Sequence, residues 1–176
     1  MISLARRIRA LPPSCGPVRL VAVDGPAGSG KTTLAGRLAA ALDCQVIHSD
    51  DFPVPWDEGP ATWFAALDRQ VLQPLGQGRP GAFRRYDWVR AAYAERVVVP
   101  LAPALIVEGV GTARASAAPL LAYTIWVEAP EDLRLRRVLA RDGAELEPRW
   151  RAWFDAERAW FDADGTRARA DEVITT

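Results

Sequence analysis

The sequence predicts an α/β fold: a single domain with a parallel five-stranded sheet flanked by helices. Three observations carry this. Short apolar, β-branched runs at 18–23 (VRLVAV), 104–107 (ALIV) and 123–127 (YTIWV) have the length and composition of strands buried on both faces. Segments of helical period separate them, above all 31–42, where Leu34, Leu38 and Leu42 share one face. Strands alternating with helices build a parallel sheet covered on both sides. At 176 residues the chain fits one domain, 1–176, with a core that needs no disulfide or metal to hold it.

Each element follows from its local pattern. Residues 2–11 read as a short amphipathic helix, apolar at Ile2, Leu4, Ile8 and Leu11 and charged at Arg6, Arg7 and Arg9, ended by Pro12 and Pro13. Strand 18–23 runs straight into a glycine-rich loop and then into the helix 31–42. A second strand, 45–47, stops at His48-Ser49-Asp50-Asp51-Phe52. The proline-rich stretch 53–60 follows, then a helix over 62–75 and a turn region over 76–81. Residues 96–99 give a short strand signal, and the 104–107 strand ends in Glu108-Gly109. After strand 123–127 come an arginine-rich helix, 130–142, and a last helix, 148–163. Trp150, Trp153 and Trp160 share a stripe of that helix and read as packing. Residues 172–175 close the sheet.

Composition excludes several functions. Hydrophobic content is 49% and charged content 25%, ordinary for a soluble globular protein. No apolar run reaches the ~18 residues of a membrane span, and no secretory leader is evident, so a cytoplasmic location is expected. Formal net charge is zero, which offers no general attraction to nucleic acid or an anionic membrane. Cys15 and Cys44 have no paired spacing, and with His48 the only histidine there is no zinc ligand set.

The chain has one lysine, Lys31; every other one of its 22 basic side chains is arginine. It stands in Gly25-Pro26-Ala27-Gly28-Ser29-Gly30-Lys31-Thr32, a full match to G-x-x-x-x-G-K-[ST]. A compact ammonium on a flexible stem reaches between β- and γ-phosphates, which a guanidinium fork does not do equivalently. The motif lies between a buried strand and a helix, so backbone N–H groups and the helix N-terminus can hold phosphates. Expected nucleotide contacts are Gly25, Ala27, Gly28, Ser29, Gly30, Lys31, Thr32 and Thr33. The expected fold is therefore a P-loop NTPase domain that binds a nucleotide triphosphate.

Other residues gather by position. Asp50 and Asp51 follow a strand end, where ligands bind in open α/β sheets; one can serve as base or water-mediated metal partner, the other reading being a turn cap. Glu108 ends the next strand and, with Thr32 and Asp50, suits a Mg²⁺ site. Arg134, Arg137 and Arg141 fall on one helical face and can clamp phosphate oxygens; the alternative is a solvated face paired with Glu131 and Asp132. Arg137 and Arg141 are expected to be catalytic beside Lys31, Asp50 and Glu108. Tyr86-Asp87-Trp88 and Trp56-Asp57 combine aromatic planes with carboxylates suited to an acceptor.

Together, VAVDGPAGSGKTT, HSDDF, YDW before VVVP, ALIVEGV and RLRRVLARD resemble the uridine kinase family, over roughly residues 18–142. The resemblance implies ATP phosphate binding by Gly25, Gly28, Gly30, Lys31, Thr32 and Thr33, Asp50 as the base and Glu108 near the metal. It implies sugar contact by Asp57 and a substrate role for Tyr86. Two features depart from it. Ala91 and Ala92 stand where such kinases carry a histidine, and the arginine-rich lid is cut to Gly143-Ala144-Glu145-Leu146-Glu147, leaving Arg141 and Arg149 to replace it. The expected activity is transfer of the ATP γ-phosphate to a hydroxyl of a nucleoside or similar metabolite. Alternatives are a monophosphate kinase using Arg84 and Arg85, an antibiotic kinase, or a non-catalytic ATP sensor. A guanine-reading N-K-x-D motif would need a second lysine.

Overall fold

A computed structural model describes all residues, 1–176. Its centre is a five-stranded, wholly parallel sheet in the order β2-β5-β1-β6-β7. The strands are β1 (Arg19–Asp24), β2 (Gln45–His48), β5 (Ala104–Glu108), β6 (Tyr123–Glu128) and β7 (Glu172–Thr175). A separate antiparallel ribbon joins β3 (Gly81–Asp87) to β4 (Ala92–Val99).

Burial explains why β1 and β5 are apolar throughout. Leu20, Leu105 and Val107 face one core with Leu67, Leu72 and Leu75, while Val21, Val23 and Ile106 face the other with Leu4, Ile8 and Leu38. Both faces are covered, so no polar alternation is possible. Helix α1 (Ile2–Ala10) and helix α2 (Lys31–Leu42) cover the second face. The first is covered by one helical stretch, α3 (Phe64–Leu67), a π segment (Asp68–Leu72) and α4 (Gln73–Gly76). Pro74 has no N–H to bond the turn before it, and there the helix widens into its π form. Helices α5 (Glu131–Asp142) and α6 (Glu147–Asp164) follow β6 and pack on each other.

Two sequence expectations are corrected. The short strand at 96–99 is the end of an eight-residue strand whose partner, β3, runs from the last residue of the expected turn, Gly81, into residues for which the sequence predicts no element. The ribbon is exposed on one side and rich in arginine, so it lacks the continuous apolar run of a buried strand. The tryptophan stripe also divides. Trp150 and Trp153 belong to one cluster, whereas Trp160 packs with Phe161 and Trp126 in another. Ten residues of helix span about 15 Å, too far for one cluster.

Leu38 is fully buried in α2 against the central strands. Leu38→Ala is expected to lower stability by about 2–5 kcal/mol in urea unfolding; a change near zero would place α2 off the core.

Candidate phosphoryl-transfer site

Strand register places the chemistry. β1 lies between β5 and β6, with Val23 opposite Glu108 and Asp24 opposite Trp126; His48 of β2 is opposite Glu108 from the other side. The carboxyl ends of three strands thus meet at one level, where open α/β sheets bind ligands.

The loop after β1 must pass very close to its neighbours. Gly25 has φ +137°, and a Cβ there would lie 2.0 Å from the Val127 carbonyl oxygen; at Gly28, φ +77°, it would lie 2.7 Å from that of Arg134. Only glycine fits. Behind the loop, the buried Asp24 accepts from the amides of Gly25 (2.7 Å), Gly111 (3.0 Å) and Ala113 (2.8 Å). Burial drives its carboxyl up to about 6, although these three bonds and Lys31 oppose the shift.

A second buried acid holds the loop from α6. Glu157 accepts from the Ala27 amide at 2.9 Å and from Arg134 at 2.7 Å, while Arg134 donates to the Ala27 carbonyl at 3.2 Å. Burial pushes the Glu157 carboxyl up, against the pull of the Ala27 amide and nearby cations. Arg137 braces the loop from outside, donating to the Gly28 carbonyl and to Thr176.

In front of the loop is a cavity of about 400 Å³. Lys31, Thr32, Asp50, Glu108 and Arg141 all line it, as do Ala27, Gly28 and Trp88. Lys31 Nζ is held by the Pro26 carbonyl at 3.0 Å, and Thr32 donates to Glu108 at 3.0 Å. His48 Nδ1 lies 2.7 Å from the same Glu108 oxygen, which raises the imidazole pKa. Burial alone would raise Glu108, but the His48 bond and the Lys31 charge outweigh it and the net direction is down. Asp51 is buried and committed, accepting from Arg85 at 2.8 Å and the His48 amide at 3.0 Å. Asp50 faces the cavity, and Trp88 donates its indole N–H to the Asp50 carbonyl at 2.8 Å.

Other expected residues lie outside the cavity. Of the arginine face, only Arg141 lines it; Arg134 is buried in its pair with Glu157. Gly25, Ser29, Gly30 and Thr33 shape the loop without lining the cavity, and the buried Ser29 Oγ has no hydrogen-bond partner. Asp57 lies in a shallow neighbouring groove with Arg149. Tyr86 packs edge-on against Trp88 and Tyr93, and Asp87 caps the ribbon turn through the amides of Val89 and Arg90. Cys15 and Cys44 are free thiols, and burial pushes Cys44 up to about 11.

Sequence reasoning missed Asp24 and Glu157. Asp24 had a signal in the acid that ends an apolar strand before glycine. Glu157 had one too, as the single acid on a stripe with Trp150, Phe154 and Phe161, all buried.

Thr32, Glu108 and Asp50 present one hydroxyl and two carboxylates, and no cluster of three or more His, Cys, Asp or Glu side chains could cage a metal alone. This donor set fits Mg²⁺, which binds through one or two carboxylates together with phosphates and water.

A carboxyl whose pKa rises on folding binds its proton more tightly in the folded protein, so stability falls as pH rises through about 6. Asp24→Asn removes this titration. The stability of the wild type relative to that variant, from urea unfolding, is expected to increase between about pH 7 and about pH 5. A constant difference would contradict the buried titration.

No protein-family model matches the chain, and no curated protein matches it in sequence. Solved structures do match in fold. A protein described as a possible uridine kinase from Bacillus stearothermophilus superposes with TM-score 0.70 at 22% identity, covering 98% of this chain and 96% of that one. A proposed fructose transport system kinase from Silicibacter sp. TM1040 gives 0.66 at 21% identity, covering 98% and 97%. No helix is long and apolar enough to cross a membrane. The chain has the P-loop α/β fold of these two structures.

Proposed function

We propose that the protein is an ATP-dependent kinase that transfers the γ-phosphoryl group to a hydroxyl of a small molecule of nucleoside size. One observation carries this reading. The phosphate loop with Lys31, the acids Asp50, Glu108 and Asp142, and Arg141 surround a single cavity, and that cavity extends past the loop to a wall of tryptophans.

In this reading, loop amides and Lys31 hold the triphosphate, and Arg141 lies where it can meet charge on the transferred group. Asp50 receives the proton of the acceptor hydroxyl as its oxygen bonds to the γ-phosphorus. The bond from phosphorus to the β–γ bridging oxygen breaks, and ADP leaves. Thr32 and Glu108, with Asp50 through water, would hold Mg²⁺, which neutralises phosphate charge when bound. His48 keeps Glu108 ionised by holding its oxygen.

The monophosphate reading loses its arginines. Arg84 bonds the Tyr93 and Ala94 carbonyls, and Arg85 pairs with Asp51 and Glu95. Neither lines the cavity.

Lys31→Ala is expected to abolish ATP turnover in an ADP-release assay. Asp50→Asn should leave ATP affinity within about twofold while lowering kcat by roughly 10²–10⁴-fold, the usual contribution of a general base. Full activity of the Asn variant would remove Asp50 from the mechanism. ATP binding without ADP release across nucleosides, sugars and antibiotic alcohols would favour a sensor.

A further inference from the structure

The cavity has two chemically different sides. Ala27, Gly28, Lys31 and Thr32 form the phosphate side. The remaining lining includes Trp56, Trp88, Trp150 and Trp153, four of the seven tryptophans in the chain, the Trp150 cluster packing directly beside Ala27 and Trp88 bonding the Asp50 carbonyl. Trp56 meets Trp150 edge-on at 4.9 Å and Trp153 at 5.5 Å, with planes at 79° to both. Three near-perpendicular indoles brace one another into a fixed corner, and Trp56 remains 40% exposed at its rim.

This tryptophan wall offers donors but no acceptor of its own, since the indole N–H groups of Trp150 and Trp153 are buried without a partner. No Asn, Gln, His or Tyr lines the cavity, and its neutral hydroxyls are those of Thr32, on the phosphate side, and Ser49. A nucleobase edge or a polyol placed there would leave polar groups unpaired, at a cost of about 1–3 kcal/mol each. The charges point the same way. Arg141 is paired at two points with Asp142, at 2.7 and 2.8 Å, and also feels the charges of Asp50 and Glu108. Lys31 and Glu108 are opposite charges on the nucleotide side. Asp50 has no cationic partner, its carboxylate accepting only from the Ser49 hydroxyl at 3.2 Å. Tryptophan is the ring that best attracts a cation, and here one ring already does so, with the Arg141 guanidinium 5.6 Å from the Trp150 centroid.

We propose that the acceptor is a hydroxylated organic cation with an apolar body, an amino alcohol whose ammonium lies against the tryptophan corner and whose hydroxyl meets Asp50. The proposal rests on the kinase reading for the transfer step, in which the acceptor oxygen displaces ADP and its proton passes to Asp50. The preference for a cation rests on the wall alone.

Three probes of one skeleton separate the charges: phenylalaninol carries an ammonium, 3-phenylpropan-1-ol is neutral and 3-phenyllactate carries a carboxylate. Uridine is the fourth. Calorimetric titration with a non-hydrolysable ATP analogue and Mg²⁺ present reads binding, and ADP release with ATP reads transfer. Phenylalaninol is expected to bind at least about tenfold more tightly than the neutral alcohol, with no saturable binding of phenyllactate. Trp56→Leu should erase most of that preference, Trp56→Phe should keep part of it, and Trp160→Phe, outside the cavity, should keep all of it. Equal binding of the cationic and neutral alcohols, or tightest binding of uridine, overturns the proposal. Cation-selective binding without ADP release from any probe supports the cation site and counts against the kinase reading. Transfer to uridine without cation preference does the reverse.

Discussion

The buried carboxyl of Asp24 is the constraint on which the site depends. At the end of the central strand it receives amides from Gly25, at the start of the phosphate loop, and from Gly111 and Ala113, in the loop after β5. These two loops frame the cavity from adjacent strands. Removing a carboxylate from water costs several kcal/mol, and three amide donors recover only part of that. The pKa near 6 records the remainder. The fold sustains this strain because the acid fixes where the loop begins and where the wall beside it turns.

Helix α6 supplies the second fixed point. Its Glu157 accepts from the Ala27 amide and from Arg134 of α5, which itself donates to the Ala27 carbonyl, and about one to two turns earlier α6 carries Trp150 and Trp153 into the cavity wall. Loop and wall therefore share one rigid element. The Arg134–Glu157 pair is buried on both sides, so its value lies in geometry more than in net stability.

Much of this was legible in the sequence. A buried run, a glycine loop and a leucine-faced helix specify β1 and α2 locally, and the chemistry of Lys31 alone marks the phosphate position that we propose. Glu108 and Asp50 were found because strand ends are ligand positions in this architecture. The β3–β4 ribbon was legible only at 96–99, since its buried face is short, Phe83 and Val99 with the half-buried Val97, and the rest of it is exposed or only partly buried. Asp24 and Glu157 are passed over although each stands at a marked position, because most of their partners, the amides of Gly111, Ala113 and Ala27 and the Arg134 guanidinium, lie far along the chain. Arg134 was misplaced for the same reason. Helical spacing gives it the face of Arg137 and Arg141, but only the fold shows that this face meets α6 at one end and the cavity at the other.

In the proposed kinase, strand register brings Lys31, Thr32, Glu108 and Asp50 to one triphosphate and leaves the tryptophan wall for the acceptor. A crystal structure with Mg²⁺ and a non-hydrolysable ATP analogue tests it most directly. The account expects the phosphates on the loop beside Lys31, the metal within reach of Thr32 and Glu108, and open space between the γ-phosphate, Asp50 and Trp56. A nucleotide base seated on the tryptophans, or a triphosphate bound away from Lys31, would contradict it.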